Sequence, residues 1–366
     1  MHMASYLKRG KTWQYTVNHY VDGERKPIVK GGFATKKEAQ LAAHEVEMHL
    51  WKGQQVNTRD IPFSTYFDEW IELYKSGRHK TTYDRYRNSL ARVQEYFKDI
   101  SIRKITRTDY QRFLNEYGIG KSKETVRKLN SHIRSCIRDA IEDGYISVDF
   151  TRKAEFIASK SPKRSEDKHL SYEDSLRLYQ LLISKMGSNT STYLLILLGL
   201  VSGTRFGELV GLTFDSFDYE NNVMRITHAW DYKTGAGFGP LKNSHSERTI
   251  SIDKQVMLLC KPLVKASKKN PHGLLFYRPT ATKVNTNNGA NKVLKALLAK
   301  LEIEEITMHG LRHTHASVLL YKGANIHSVS KRLGHADIQT TLDHYAHVLK
   351  EMEQRDEEIA VKIYAG

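Results

Sequence analysis

Residues 309–314 read His309-Gly310-Leu311-Arg312-His313-Thr314 and open a helical pattern that runs to 321. His309 and Arg312 are three apart at the helix start, which makes them neighbours on one face. Working outward, Leu333-Gly334 ends the next helical pattern, His335 follows it, and Tyr345 lies ten residues further on a helix expected over 337–351. Upstream, Ser202-Gly203-Thr204-Arg205-Phe206-Gly207-Glu208-Leu209 follows the apolar run Leu194–Leu200, which reads as a buried helix. The glycine turn there can aim Arg205 into a cleft, with Glu208 in reach to orient it or a neighbouring histidine. Between these lies Gly239-Pro240-Leu241-Lys242-Asn243-Ser244, a hairpin turn before a strand that starts at Arg248.

The rest of the chain sorts around this region. Residues 158–168, polar, charged and interrupted by Pro162, form the clearest linker signal, so a domain of mixed, mostly helical character is expected over 169–366. Strands are expected at 223–230 and 248–252 and helices at 254–268, 288–302 and 325–333. An all-helical domain is expected over 58–157, with helices at 63–75, 80–97, 106–115 and 121–143; in the second, Tyr83, Tyr86, Leu90, Val93 and Phe97 recur at three- and four-residue steps. Residues 1–57 alternate like three strands, followed by a helix with Thr35 as cap, Glu38 three residues on, and an apolar stripe of Ala39, Ala42, Ala43, Val46 and Leu50. The fold class is therefore multidomain and mainly α with small β elements.

With 57 Lys plus Arg against 41 Asp plus Glu, the 366-residue chain carries a formal charge of +16, which attracts a polyanion. Residues 1–57 hold 9 basic and 5 acidic groups, 58–168 hold 24 and 17, and 169–366 hold 24 and 19, so every segment is positive. That is the distribution expected when each segment touches the same nucleic acid. Lys8, Arg9, Trp13, Tyr15, Arg25 and Lys30 on the N-terminal strands, and Lys80, Arg85, Lys121, Lys123 and Arg127 on the helices, are the candidate DNA-contacting residues, against the ordinary alternative of solvated faces. No apolar run spans a bilayer and no signal-peptide pattern opens the chain, so cytoplasm is expected. The two cysteines, Cys136 and Cys260, read as packing residues in a reducing compartment.

Three motif look-alikes have the wrong spacing. His44 and His49 are five apart and leave a common helical face; Gly235-Ala236-Gly237-Phe238-Gly239 lacks the Lys-Ser/Thr of a phosphate loop; His313 and His315 are two apart and point away from each other on a helix. No metal or cofactor site is expected from them.

The order Arg205, Lys242, His309-x-x-Arg312, His335, Tyr345, with Gly-Thr-Arg-x-Gly-Glu-Leu, His-Gly-Leu-Arg-His-Thr and Leu-Gly-His around it, resembles the tyrosine recombinases, specifically the phage and conjugative-transposon integrases. The resemblance implies an arm-site-binding module over 1–57, a helical core-binding (SAM-like) domain over 58–157, a linker over 158–168 and a catalytic domain over 169–366. It implies Tyr345 as nucleophile, a 3′-phosphotyrosyl link, a free 5′ hydroxyl, and resealing through a Holliday junction without ATP or metal. Its implied partners are double-stranded DNA at core- and arm-type attachment sites, a homo-tetramer on synapsed DNA, and accessory bending or excision factors, in a bacterial host where the DNA-bound protein is nucleoid-associated.

The residue types suit that chemistry. Attack on a phosphodiester builds negative charge on its oxygens, which the bidentate guanidiniums of Arg205 and Arg312 match. His309 and His335 can donate to those oxygens or move protons near neutral pH, and Lys242 can protonate the departing 5′ oxygen. Taken alone, Tyr345 reads as core, on a stripe with Leu342, Ala346 and Leu349; the set of six in order carries the reading. Two alternatives remain from sequence: a type IB topoisomerase-like enzyme, and a DNA-binding regulator with a vestigial site. The acidic, then alternating, tail over 353–366 can cap its own domain; the resemblance implies instead that it docks on a neighbouring subunit.

Overall fold

The computed structural model describes residues 4–21, 24–51, 59–160, 169–187, 190–239, 241, 246–278 and 283–345. It divides into two compact units, Met1–Pro162 and Lys163–Gly366.

In the first unit, β1 (Ala4–Arg9), β2 (Thr12–Val17) and β5 (Ile28–Phe33) form an antiparallel sheet in the order β1-β2-β5, with β3 (Tyr20–Val21) and β4 (Glu24–Arg25) as a small hairpin between. Side chains alternate across a strand, so Tyr15 and Val17 point to one face, where α1 (Lys36–Trp51) lays Ala39, Ala43, Val46 and Leu50 on the sheet. Thr35 Oγ1 accepts from the Glu38 amide at 3.2 Å and starts that helix, as its sequence suggested.

Four helices follow in the same unit: α2 (Phe63–Lys75), α3 (Lys80–Phe97), α4 (Arg107–Gly118) and α5 (Lys123–Glu142). They enclose an aromatic core in which Phe63 packs edge-on against Phe97 and Phe150. Polar side chains set the helix ends. Thr106 and Asp109 form a reciprocal capping box at α4, and Ser122 accepts from the Thr125 amide at α5. Trp70 donates its indole N–H to Asp139 at 2.6 Å, fixing α2 against α5.

The second unit is built on α7 (Thr190–Ser202). Leu194 to Leu198 are all fully buried, because α6 (Tyr172–Ser184), α9 (Lys254–Ser267), α10 (Asn287–Lys300) and α11 (Met308–Tyr321) surround this helix. A helix apolar on every side has to lie inside the domain. The short α8 (Phe206–Val210) leads into an antiparallel sheet of β6 (Phe217–Asp218), β7 (Val223–Ile226) and β10 (Arg248–Ser251), ordered β10-β7-β6. Two-residue strands make the hairpins β8 (Ala229–Trp230) with β9 (Phe238–Gly239) and β11 (Tyr277–Arg278) with β12 (Lys283–Val284). After α11 come α12 (Ile326–Leu333) and a helical stretch over residues 338–345.

Gly334 ends α12 in the left-handed region, with φ at 68°. Among the described residues, no helix is long and apolar enough to cross a membrane, and no group of three His, Cys, Asp or Glu side chains is placed to hold a metal ion. Cys136 and Cys260 are free and buried.

Candidate active site

The chain leaves α7 through Gly203, whose φ is +64°; a Cβ there would lie 2.8 Å from both the His315 ring and Leu333. Only glycine fits this turn, and the turn delivers Arg205 to the start of α8. The Arg205 guanidinium donates to Glu208 Oε1 at 2.8 Å, to Ser246 Oγ at 3.4 Å and to the Gly334 carbonyl at 3.2 Å. Glu208, 3% exposed, also accepts from Arg248 at 2.9 Å. Burial alone would raise its pKa, but the Arg248 and Arg205 guanidiniums outweigh burial and hold it below the usual carboxylate value, so it is ionised. Arg248 was not singled out in the sequence. It also donates to the carbonyls of Arg332 and Ser246, both at 2.7 Å.

Arg312 comes from the first turns of α11 and is 3% exposed. It donates to the Gly203 carbonyl at 2.9 Å and to the Leu333 carbonyl at 2.8 Å, so it joins the α7–α8 turn to the end of α12. Burial, then the neighbouring Arg205, push its guanidinium down to about 9. Arg332 donates to His315 Nε2 at 2.9 Å and to the carbonyls of Val201 and Ser251. Among the described residues, Glu208 is the one carboxylate paired within the group of Arg205, Arg248, Arg312 and Arg332, and it pairs with the first two. A buried cluster with such an excess of positive charge is poised to take an anion.

His335 sits directly after Gly334, whose carbonyl Arg205 holds, and its Nδ1 is 2.8 Å from Thr341 Oγ1. Burial, then the charges of Arg312 and Arg205, push the imidazole down to about 3, so it is neutral. His309 is exposed on the first turn of α11, edge-on to the His313 ring with centroids 4.8 Å apart.

Tyr345 is 2% exposed and packs with Ala316, Leu320, Val329 and Leu333. Its hydroxyl lies 3.1 Å from Nδ1 of His313, the residue after Arg312. Burial pushes the phenol up to about 12 against the opposing pull of Arg312. The structure thus gathers Arg205, Glu208, Arg312 and His335 around the α12 terminus, while Tyr345 and His309 meet at His313, the residue after Arg312. Lys242 and the tail over 353–366 lie outside the described residues. His313 and His315 do diverge, as expected, but toward partners: His313 to the phenol, His315 to the Leu200 carbonyl and Arg332.

The candidate DNA-contacting residues divide. Lys8 pairs with Trp13 and Tyr15 with Lys30 in register, so these four share the sheet face that α1 covers, while Arg9 points to the opposite face. Tyr15 is 2% exposed, a core residue rather than a contact surface, and this corrects the sequence assignment. The period of two had not been applied to the six residues together. Trp13 is half-buried under Lys36, and Arg25 donates to Asn18 Oδ1. On the helices Lys80, Arg85, Lys123 and Arg127 are exposed, Arg127 in an ion pair with Glu124, and Lys121 lies over the Tyr117 ring.

Residues 168–352 match the model of the Phage integrase family. The chain belongs to that family. Residues 3–50 also match an arm DNA-binding domain, and residues 62–117 match a phage integrase N-terminal SAM-like domain. A tyrosine recombinase XerC-like protein of Caldanaerobacter subterraneus subsp. tengcongensis is 25% identical, over 94% of this chain and 95% of its own length. The integrase of Staphylococcus phage L54a is 26% identical, over 83% and 94%. The fold is similar to that of the Tn1549 transposon integrase in complex with transposon right end DNA, at a TM-score of 0.67 and 19% identity, covering 82% of this chain and all of that one. As a family member the chain is a tyrosine recombinase, an enzyme of DNA strand cleavage and rejoining.

Proposed function

We propose that this chain is a site-specific integrase that inserts, and also excises, a mobile element by way of a 3′-phosphotyrosine intermediate and a Holliday junction. The observation that carries the reading is the buried guanidinium cluster with a single carboxylate, one residue away from the histidine that contacts a buried tyrosine. In this reading Arg205 and Arg312 bind the scissile phosphate and offset the charge that grows on its oxygens during attack. Glu208 does not meet DNA; it fixes Arg205 from behind. His309 and His335 hydrogen-bond the phosphate oxygens, and the anion raises the proton affinity of the neutral His335 ring when it arrives.

The phenolic oxygen of Tyr345 passes its proton to one of the histidines at the phosphate, His309 or His335, and forms a bond to phosphorus while the bond from phosphorus to the 5′ oxygen breaks. Lys242 supplies the proton to that leaving oxygen. The phosphate ester energy is kept in the phosphotyrosine, so the 5′ hydroxyl of a partner strand reverses the step without ATP or metal. Because Tyr345 packs in the core of its own domain, the nucleophile serves the phosphate held by the same chain.

The three-part division follows the same reading: residues 1–57 engage arm-type sites, 58–157 core-type sites, and 169–366 carry the chemistry. A homo-tetramer on synapsed DNA, accessory bending or excision factors, and work at the nucleoid in the bacterial cytoplasm complete it. A nicked suicide duplex tests the reading. The wild-type chain should form a covalent protein–DNA adduct that Tyr345→Phe does not. No adduct from the wild type would leave a DNA-binding regulator, and an adduct without junction formation on a second duplex would leave a topoisomerase-like enzyme. DNA affinity should also fall steeply with salt, since each phosphate contact releases counterions.

A further inference from the structure

Among the described residues, the hydroxyl of Tyr345 has one hydrogen-bond partner, and it belongs to a residue outside the six of the sequence motif. The phenol is buried among Ala316, Leu320, Val329 and Leu333 and is protonated, so its O–H needs an acceptor; leaving it without one costs about 1–3 kcal/mol. Nδ1 of His313, at 3.1 Å, is that acceptor, which places the ring proton on Nε2. The His313 ring is itself held in place. His309 stands edge-on to it at 4.8 Å between centroids, and His344 lies near-parallel to it at 6.0 Å.

We propose that His313 is the positioning residue of the Tyr345 nucleophile, its Nδ1 accepting the phenolic hydrogen bond and fixing where the reacting oxygen lies within its own domain. The inference rests on the recombinase reading above and adds to it the group that aims the attack. His313 acts by placing the oxygen and not by carrying its proton away. Burial first, then the neighbouring His309, His344, Arg312 and His169, push its imidazole down to about 3, so the ring gives a neutral acceptor but a poor destination for a proton. Orientation matters at this point because a misplacement of about 1 Å between reacting atoms can cost on the order of a hundredfold in rate.

Two substitutions of similar volume separate aim from packing. In His313→Asn, the side-chain oxygen branches where Nδ1 does and can still accept from the phenol; in His313→Leu nothing can. With the full chain and a nicked suicide duplex, His313→Leu should slow adduct formation by roughly 10- to 100-fold, and His313→Asn should recover most of that loss. Thermal melting and gel shifts report whether both variants fold and bind DNA as the wild type does. A second readout needs no cleavage. With tyrosine labelled at Cζ, the Tyr345 resonance, identified by its loss in Tyr345→Phe, should move in His313→Leu and stay near its wild-type position in His313→Asn. Equal rates for the two variants, or an unmoved resonance in His313→Leu, would overturn the inference while leaving the recombinase reading in place. A wild-type chain that forms no adduct would overturn both.

Discussion

The two halves of the candidate active site are built on opposite principles. The guanidinium half is over-determined: Arg312 bridges two main-chain carbonyls, Arg205 reaches a carboxylate, a hydroxyl and a carbonyl, and Arg248 closes the ring around Glu208. Among the described residues, the half that holds the proposed nucleophile rests on apolar packing and one hydrogen bond, from Tyr345 to His313. Main-chain carbonyls cannot move without unwinding a helix end, so the anion cradle is preformed before DNA arrives. A phenol held by one hydrogen bond is released at the cost of that bond, net about 0.5–1.5 kcal/mol, plus the apolar contacts it leaves. In the proposed reaction the difference separates binding the phosphate, which the fold prepares in advance, from attacking it, which the fold keeps adjustable.

That contrast can be broken or sharpened by substitution. The largest effect is expected at the cradle. Arg312→Lys keeps a charge but loses the fork that spans two oxygens, and covalent adduct on a nicked duplex should form roughly 10²- to 10³-fold more slowly. A loss under tenfold would mean that the buried fork is structural only.

Glu208→Gln comes next. It leaves Arg205 and Arg248 facing each other without their shared carboxylate, and removing one partner of a buried pair typically costs about 3–5 kcal/mol, read here by denaturant unfolding. The pH dependence has a definite sign. The folded-state pKa of Glu208 lies below the ordinary value of 4.5, so its contribution is fully present above pH 4.5 and is lost as the pH falls through the lowered folded value. Glu208→Gln should therefore flatten the acid limb of the stability curve; an unchanged acid limb would show that the carboxylate is not held ionised.

A smaller effect is expected at Thr341, which contacts His335 Nδ1. Thr341→Val removes that hydrogen bond at nearly constant volume. It should cost about 0.5–1.5 kcal/mol in stability and no more than about tenfold in adduct formation. The smallest belongs to the first unit, whereas both halves lie in the second. The exposed Arg92–Glu95 pair on α3 should contribute under about 1 kcal/mol, so Glu95→Gln should leave melting and cleavage at wild-type values.

Much of the fold was legible because its signals are local. The 3.6-residue stripes and end signals that predicted helices at 63–75 and 80–97 lie where α2 and α3 lie, and the Leu194–Leu200 run is the buried helix it reads as. Two-residue strands such as β8 and β9 and the five-residue α8 were not separately predicted, since so few residues carry no period. Yet α8 is where Arg205 is anchored. Within the site, the motif residues could be named in order, and so could the local partner Glu208 of Arg205, but the distant partners could not. Arg248 meets Glu208 across 40 positions and His313 meets Tyr345 across 32, and nothing in a strand that begins at Arg248 announces such a contact. Tyr15 was misread for a different reason: its aromatic and basic neighbours were taken as one surface, whereas the alternation of β2 sends it inward with Val17.

The account depends on the phenol of Tyr345, and on no other of the 20 tyrosines, becoming bonded to DNA. Mass spectrometry of the trapped adduct addresses this directly, after nuclease trimming and trypsin digestion. The nucleotide should remain on the peptide Leu333–Lys350, whose single tyrosine is Tyr345, and be attached through a 3′ phosphate. A nucleotide on any other peptide, or one joined through its 5′ phosphate, would contradict the assignment of the nucleophile and the polarity of cleavage with it.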